Sequence, residues 1–517
     1  MDHFSATELH APSVASGSEN WSRLIHLLES NDPPFDSDTL SIRQIISGRQ
    51  AHLAALDAQL NALRNEMDRL SAERDKTVEC IRHHTAVISP IRRLPPELLC
   101  EIFAATLPGT RRVGITTVNC PPWRLAHICS PWRAVAVADP FLWDSITISR
   151  SPDQSPLSDM YPLSMLETQL LRSGNVSLQV TFDLHNGAGA ERQLLDTLLS
   201  CCERWASVNL RCWSRGTTDL LLKLLRVVQG RVPRLKKLEL STSRYTGPLG
   251  LDFSSAPSLR EVVVTDSNFK TLSPPLVIPW HQITRYRGVY TPSRQLDILT
   301  AAQNLVECRL GFTTRLNGTQ DTITRIITLP ALRRLHVSDC DFLTHITAPS
   351  LQDLRSYASV SGSMDPVLDF IQRSSCRLTR LTLGHTRSAD KLVPLLRCLP
   401  SLEYLFLNAT ALAPQHVASL SEALEVSGRA SDLCPNLAAL VYGRDTYNEV
   451  DAPDDVLDMV CSRLHPRRRL ASFRIYSFVP HADFVAGLTR WMAGLVARGL
   501  DVAFISNEEA HALMTGD

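Results

Sequence analysis

The sequence predicts an α/β chain. Most of it is an irregular stack of short strand-and-return units, preceded by a small all-α module and a long helix. Three observations carry this expectation. An apolar triplet recurs from Trp205 to Ile475, a compact apolar segment fills residues 88–148, and heptad spacing runs from Ile42 to Leu70. The chain has 517 residues, a length that suits about two to four domains. Its 44% apolar and 21% charged residues are enough to build large cores.

Charge and composition narrow the function classes. Lys plus Arg is 53 and Asp plus Glu is 53, and this balance argues against nucleic acid as a ligand, because phosphate binding needs a basic excess. The start of the chain lacks a basic segment followed by an apolar run, so no secretory signal is expected. No uninterrupted apolar stretch reaches the roughly 18 residues of a membrane span. The 13 cysteines are scattered and odd in number, which reads as reduced thiols and an intracellular protein of cytoplasm or nucleus. The four glycosylation-type sequons, at Asn20, Asn175, Asn317 and Asn408, are then chance matches.

Residues 1–38 show little period and are expected to be disordered, apart from a short amphipathic piece at 21–28. A long helix is expected over 39–87. Ile42, Ile46, Leu53, Leu56, Leu60, Leu63, Met67 and Leu70 alternate steps of three and four, with Arg49 as the polar break. Asp57, Arg64, Glu66, Asp68, Arg69 and Glu73 flank this seam. Two uses fit such a stripe: a homodimeric coiled coil through Ile42 to Leu70, or a helix laid on the next domain of the same chain. Pro90 forbids smooth continuation of the helix.

Beyond residue 160 the chain is repetitive. An apolar residue is followed by others three and five positions on. Examples are Leu235/Leu238/Leu240, Leu305/Cys308/Leu310, Leu332/Leu335/Val337, Leu402/Leu405/Leu407 and Leu470/Phe473/Ile475, with weaker members at Ile283 and Leu351. The mean spacing is about 26.5 residues, within the range of a leucine-rich repeat. A single unit of this kind has no core, whereas stacked units share one. Pro233, Pro257, Pro330, Pro400 and Pro435 stand just before expected strands, where a missing donor costs nothing. Helical returns are expected near 220–228, 294–302, 366–373, 417–425, 454–464 and 483–497. The whole is an irregular leucine-rich-repeat solenoid over 160–517, bent into an uneven arc.

The segment before it reads Leu94-Pro95-Pro96-Glu97-Leu98-Leu99, then Ile102-Phe103, then Ile128-Cys129 with Trp132-Arg133, then Asp139-Pro140 through Trp143. Prolines suit a helix's first turn, and Leu98, Leu99, Ile102 and Phe103 are expected on one side of a short helix. A module this small and this apolar has a surplus to offer a partner. At these residues the chain resembles the F-box family, and the order long helix, F-box, irregular repeats resembles a fungal form of it. Two departures stand out: a longer insert at 107–122, and Pro131, read here as following a Ser130 helix cap.

The resemblance implies a substrate receptor that docks a Skp-type adaptor, and through it a cullin, while the repeats hold a protein substrate. It implies adaptor contacts at Leu94, Pro95, Leu98, Leu99, Ile102 and Phe103, with Ile128 and Trp132 behind them. For substrate, strand alternation points Glu307, Arg309, Arg334, His336, Tyr404, Phe406, Asn408, Arg474 and Tyr476 to the concave face, and several are types that make binding hot spots. No phosphate loop, nucleophile elbow or zinc motif occurs, so the chain is expected to be no enzyme and to need no cofactor or metal. Cys120, His127 and Cys129 are spaced poorly for zinc. Cys201-Cys202 is expected on an apolar helix, and the basic run from Arg463 to Arg469 in a solvated turn.

Overall fold

The computed structural model describes residues 26–30, 32–107, 121–148, 163–185, 189–212, 215–242, 250–266, 276–312, 325–358, 363–384, 391–408, 414–427, 432–444, 454–464, 470–477 and 492–515. The chain divides into two units, residues 1–95 and 96–517.

The first unit is dominated by helix α1, Asp36–Val87. It begins inside the segment expected to be disordered. Asp36 and Asp38 occupy its first turn, where the helix dipole favours negative charge, and the Phe35 amide donates to the Asp38 carboxylate at 3.3 Å. At 1.5 Å per residue the helix is about 78 Å long. None of its residues is buried, and Leu53, Leu56, Leu60, Leu63, Met67 and Leu70 are exposed. Arg69 bridges Glu66 and Glu73 at 2.8 and 3.1 Å along the flank. A turn of 3-10 helix, Pro90–Arg93, follows the break that Pro90 predicts.

The second unit opens with three short helices, α2 (Pro96–Thr106), α3 (Trp123–Ala126) and α4 (Ser130–Ala138), and a 3-10 turn at Pro140–Trp143. Pro131 lies in the first turn of α4, as expected, but Ser130 is the first helical residue and Cys129 takes the cap position. The turn leads straight into strand β1, Ser145–Ile148. Sheet structure therefore starts within the segment assigned to the helical module.

From there the chain alternates strands with returns. In order come α5 (Leu163–Arg172), β2 (Leu178–Leu184), α6 (Ala190–Ser200), β3 (Trp205–Cys212), α7 (Arg215–Leu225), β4 (Lys237–Thr242), β5 (Glu261–Asp266) and β6 (Arg285–Tyr290). Next are α8 (Pro292–Ala301), β7 (Glu307–Phe312), β8 (Arg334–Asp339), β9 (Asp353–Ala358), α9 (Asp365–Ser374), β10 (Arg380–Leu383), α10 (Leu392–Arg397) and β11 (Tyr404–Asn408). The chain finishes with α11 (Pro414–Leu424), β12 (Ala439–Arg444), α12 (Asp454–Ser462), β13 (Ser472–Ser477), β14 (Asp501–Phe504) and α13 (Asn507–Thr515). All 14 strands form one sheet in strict chain order, every neighbouring pair parallel. The sheet is open, with β1 and β14 at its edges.

The triplet explains the register. Its second members pair strand to strand, as in Leu335 with Leu354, Leu381 and Leu405, and so do its third, as in Leu310 with Val337. Both rows are buried, and so are the first members, Leu235, Leu259, Leu305, Leu332, Leu378 and Leu402, which precede their strands. Each such leucine removed from water contributes about 1.5–3 kcal/mol. The residue before each strand repeats one bond: Arg260 N to Lys236 O, Thr284 N to Arg260 O, Val306 N to Thr284 O, Arg333 N to Val306 O. Neighbouring units are thereby locked at one offset.

Returns after β3, β6, β9, β11 and β12 carry helices close to the expected ranges, those after β1, β2 and β10 carry helices outside those ranges, and those after β4, β5, β7 and β8 hold short extended segments or 3-10 turns. Leu251–Asp252 pairs with Leu276–Val277, and Ile327–Thr328 with Ile346–Thr347. Of the helix expected at 483–497, residues 483–491 lie outside the described set. Cys201 and Cys202 sit in the turn after α6, not on it, with Cys202 buried. Arg463 is also placed differently from the expected solvated turn. It is buried and donates to the carbonyls of Leu424, Leu433 and Cys434 at 2.7–3.0 Å, tying down two earlier segments. Residues 465–469 and Cys120 lie outside the described set. No helix among the described residues is long and apolar enough to cross a membrane.

Candidate functional site

Two surfaces gather the candidate residues. The first is the helical module. Its core is aromatic: the Phe103 ring lies 4.9 Å from Trp132, and Trp123 meets Trp143 edge-on at 4.9 Å. Trp143 Nε1 donates to the Ala136 carbonyl at 2.6 Å, and Arg133 Nε to that of Ala126 at 2.8 Å. The module is joined to the sheet through α5. Arg172 lies over both tryptophans, and Gln169 Nε2 donates to the Ser145 carbonyl at 2.8 Å. Burial pulls the Arg172 guanidinium below its ordinary range.

This core divides the expected adaptor contacts. Leu99 and Phe103 are buried inside it and Trp132 is half-buried. Leu98 (50% exposed), Ile102 (41%) and Ile128 (54%) face water, joined by Val137 and Phe141, which sequence reasoning did not single out. Leu98 and Ile102 stand one turn apart on α2, on the side away from Phe103. In the first unit, Leu94 is half-buried and Pro95 exposed. His127 and Cys129 are exposed. Among the described residues, one trio of ligand-type side chains converges, Asp339, Cys340 and Asp341. Its geometry is that of a helix cap, since the Asp339 carboxylate accepts from the Asp341 amide at 3.0 Å.

The second surface is the sheet face opposite the buried rows. Its first row alternates in sign across seven strands: Lys237, Glu261, Arg285, Glu307, Arg334, Asp353, Arg380. Lys237 meets Glu261 at 2.8 Å, Arg285 lies 3.6 and 3.8 Å from Glu261 and Glu307, and Arg334 meets Glu307 at 2.8 Å. Arg380 lies 3.9 Å from Asp353 and 4.1 Å from the ring centroid of Tyr404, closing the row on an aromatic. The middle row runs Glu239, Val263, Arg287, Arg309, His336, Arg355, then Thr382, Phe406 and Val441. His336 stacks on Tyr357 at 5.3 Å.

On β11 to β13 the centre of the same face is covered. Ile505, Ala510 and Met514 of the C-terminal segment pack on Phe406, Val441 and Tyr476, with Tyr357, Tyr404 and Ala503 around them. Arg355 Nη1 donates to the Leu513 carbonyl at 3.3 Å. Burial raises the Tyr404 and Tyr476 phenols above their ordinary range.

The expected substrate residues therefore share one face but differ in access. Glu307, Arg309, Arg334 and His336 are partly or fully open, and Tyr404 is half-buried. Phe406, Asn408 and Tyr476 are buried. Asn408 Nδ2 donates to the Gly384 carbonyl at 2.7 Å. Tyr476 leans across Gly443, where a Cβ would meet its ring carbon at 2.5 Å. Arg474 donates to the Asp501 carbonyl at 2.8 Å and holds that residue's carboxyl below its usual range. Missed in sequence were Lys237, Glu261, Arg285, Arg355 and Arg380. They occupy equivalent positions in other units, and only Arg285 and Arg355 belong to the weaker triplets at Ile283 and Leu351. No family model matches the chain, and neither does any curated protein.

Proposed function

We propose that this chain is the substrate receptor of a Skp–cullin–F-box type ubiquitin ligase. The F-box resemblance would dock the adaptor through the module, and the sheet, read as an irregular leucine-rich-repeat solenoid, would hold the substrate. One observation carries the reading. The module closes its own core with Leu99, Phe103, Trp123 and Trp143, yet leaves Leu98, Ile102, Ile128, Val137 and Phe141 on its surface, an apolar surplus of the kind that marks an interface. Fusion of that module to the sheet through Arg172 and Gln169 would present both partners from one body. Co-expression with a Skp-type adaptor, followed by size exclusion, tests it. A one-to-one complex is expected, and its absence from a folded chain sinks the proposal.

A second reading draws on α1, whose apolar heptad positions from Ile46 to Leu70 are exposed. It makes the chain a scaffold that homodimerises through Ile42 to Leu70, with no ligase role. Sedimentation of the full chain, alone and with Leu56→Asp/Leu63→Asp, reads this directly. A dimer that dissociates in the variant, combined with no adaptor complex, selects the scaffold.

A further inference from the structure

The middle row of the open sheet face is charged or polar from Arg287 to Thr382 and turns apolar at Phe406 and Val441, where α13 lies. We propose that this apolar seat is a docking groove for an amphipathic helix of a partner protein, and that α13 is its occupant in cis, displaced when the partner binds. The proposal rests on the receptor reading for naming that partner a substrate.

Four features support a seat built for exchange. The seat is larger than its occupant: Tyr357 and Tyr404 pack beside α13 but stay only partly buried. The Tyr404 hydroxyl is itself buried without a hydrogen-bond partner, a deficit that a ligand bringing an acceptor would remove. Arg355 meets α13 at the Leu513 carbonyl, a contact with the negative end of a helix that any helix of the same polarity satisfies. Finally, α13 carries its own start signal. Ser506 and Glu509 form a reciprocal cap, with the Ser506 amide donating to the carboxylate at 2.8 Å and the Glu509 amide to the hydroxyl at 3.2 Å, the pattern that starts a helix locally.

The anchors are few. Ala510 and Met514 stand one helical turn apart, with Ile505 just ahead of the helix. A small residue lets the backbone approach the sheet, and methionine adapts to an irregular surface. The helix has nine residues, too short to persist alone, and it follows the edge strand β14, so its release moves no other element. The partner recognised is therefore a helix with a small residue followed four positions later by a long flexible apolar one, its C-terminal end toward Arg355.

The test uses the full chain and a fluorescein-labelled synthetic peptide of residues 505–517, read by anisotropy. Wild type holds α13 in the seat and should bind the peptide weakly. Ala510→Asp/Met514→Asp should release α13 and raise peptide affinity at least about tenfold, the gain expected when a competing closed state is removed. Adding Phe406→Ala to that variant should abolish the gain. Equal affinity in wild type and the folded double variant overturns the proposal. So does global unfolding of the double variant by circular dichroism, because α13 would then be part of the permanent core. Adaptor co-purification on the same proteins separates the two readings. Peptide binding without adaptor counts against the ligase alone, and adaptor without peptide binding counts against the groove alone.

Discussion

The guanidinium of Arg172 lies 4.4 Å from the ring centroid of Trp143, and through this contact a helix of the sheet region caps the aromatic core of the helical module. Cation–π contacts of this partly desolvated kind are worth about 1–2 kcal/mol. Arg172→Ala should lower unfolding stability by about that amount, read as a shifted urea midpoint with a red shift in tryptophan emission. Arg172→Lys should recover less than half, because an ammonium cannot lie flat on two rings. An unchanged midpoint in the alanine variant would remove the contact from the account.

The module's apolar residues should separate into two classes. Leu98→Asp/Ile102→Asp alters exposed side chains and should leave circular dichroism and the urea midpoint within about 0.5 kcal/mol of wild type while abolishing adaptor binding. Phe103→Ala empties a fully buried position and should cost about 3–5 kcal/mol. Were the aspartate pair to unfold the module, those residues would be core and the docking assignment would fail.

The alternating row makes Glu307 the shared partner of Arg285 and Arg334. Glu307→Lys would set three cations side by side. A loss of about 0.5–1.5 kcal/mol is expected, on the scale of cross-strand charge pairs, and salt near 1 M should erase most of it. A loss that persists in high salt would point to packing instead of charge.

Asp183 on β2 is buried, and desolvation raises its carboxyl above the ordinary range despite Arg211 at 3.9 Å. A raised folded value means that the native state binds the proton more tightly than the unfolded chain. Its contribution is therefore fully present below the usual carboxylate range and is lost as pH rises through the folded value. Asp183→Asn should stabilise the protein at pH 7 and lose that advantage toward pH 3, measured by paired urea titrations. An advantage that grows on acidification would reverse the assignment.

The leucine triplets were legible because burial imposes a period, and all three of their positions are core. Strands β1, β2 and β14 were not, for lack of the triplet's first residue. Ile146 and Ile148 are too few to signal, and Leu178, Val180 and Phe182 read as a generic alternation. On α2 the apolar residues 98, 99, 102 and 103 span two helix sides, and only the position of Trp132 decides that Phe103 turns inward. The seating of α13 was beyond reach for a similar reason. Ala510 and Met514 have the spacing of a helix stripe, but nothing local names Phe406, about a hundred residues earlier, as their partner. Arg463 misled because a basic run reads as solvated until the carbonyls it serves are seen.

Each strand of the sheet bonds to the one made just before it, and paired residues lie 19 to 35 positions apart in sequence. Parallel sheets usually assemble slowly because distant segments must find one another. Here the order of synthesis is the order of assembly, so a nascent chain can add each strand to an existing edge as it leaves the ribosome. Helix α13 emerges after every strand of the sheet, and until then the aromatic face at Phe406 and Tyr476 stands open.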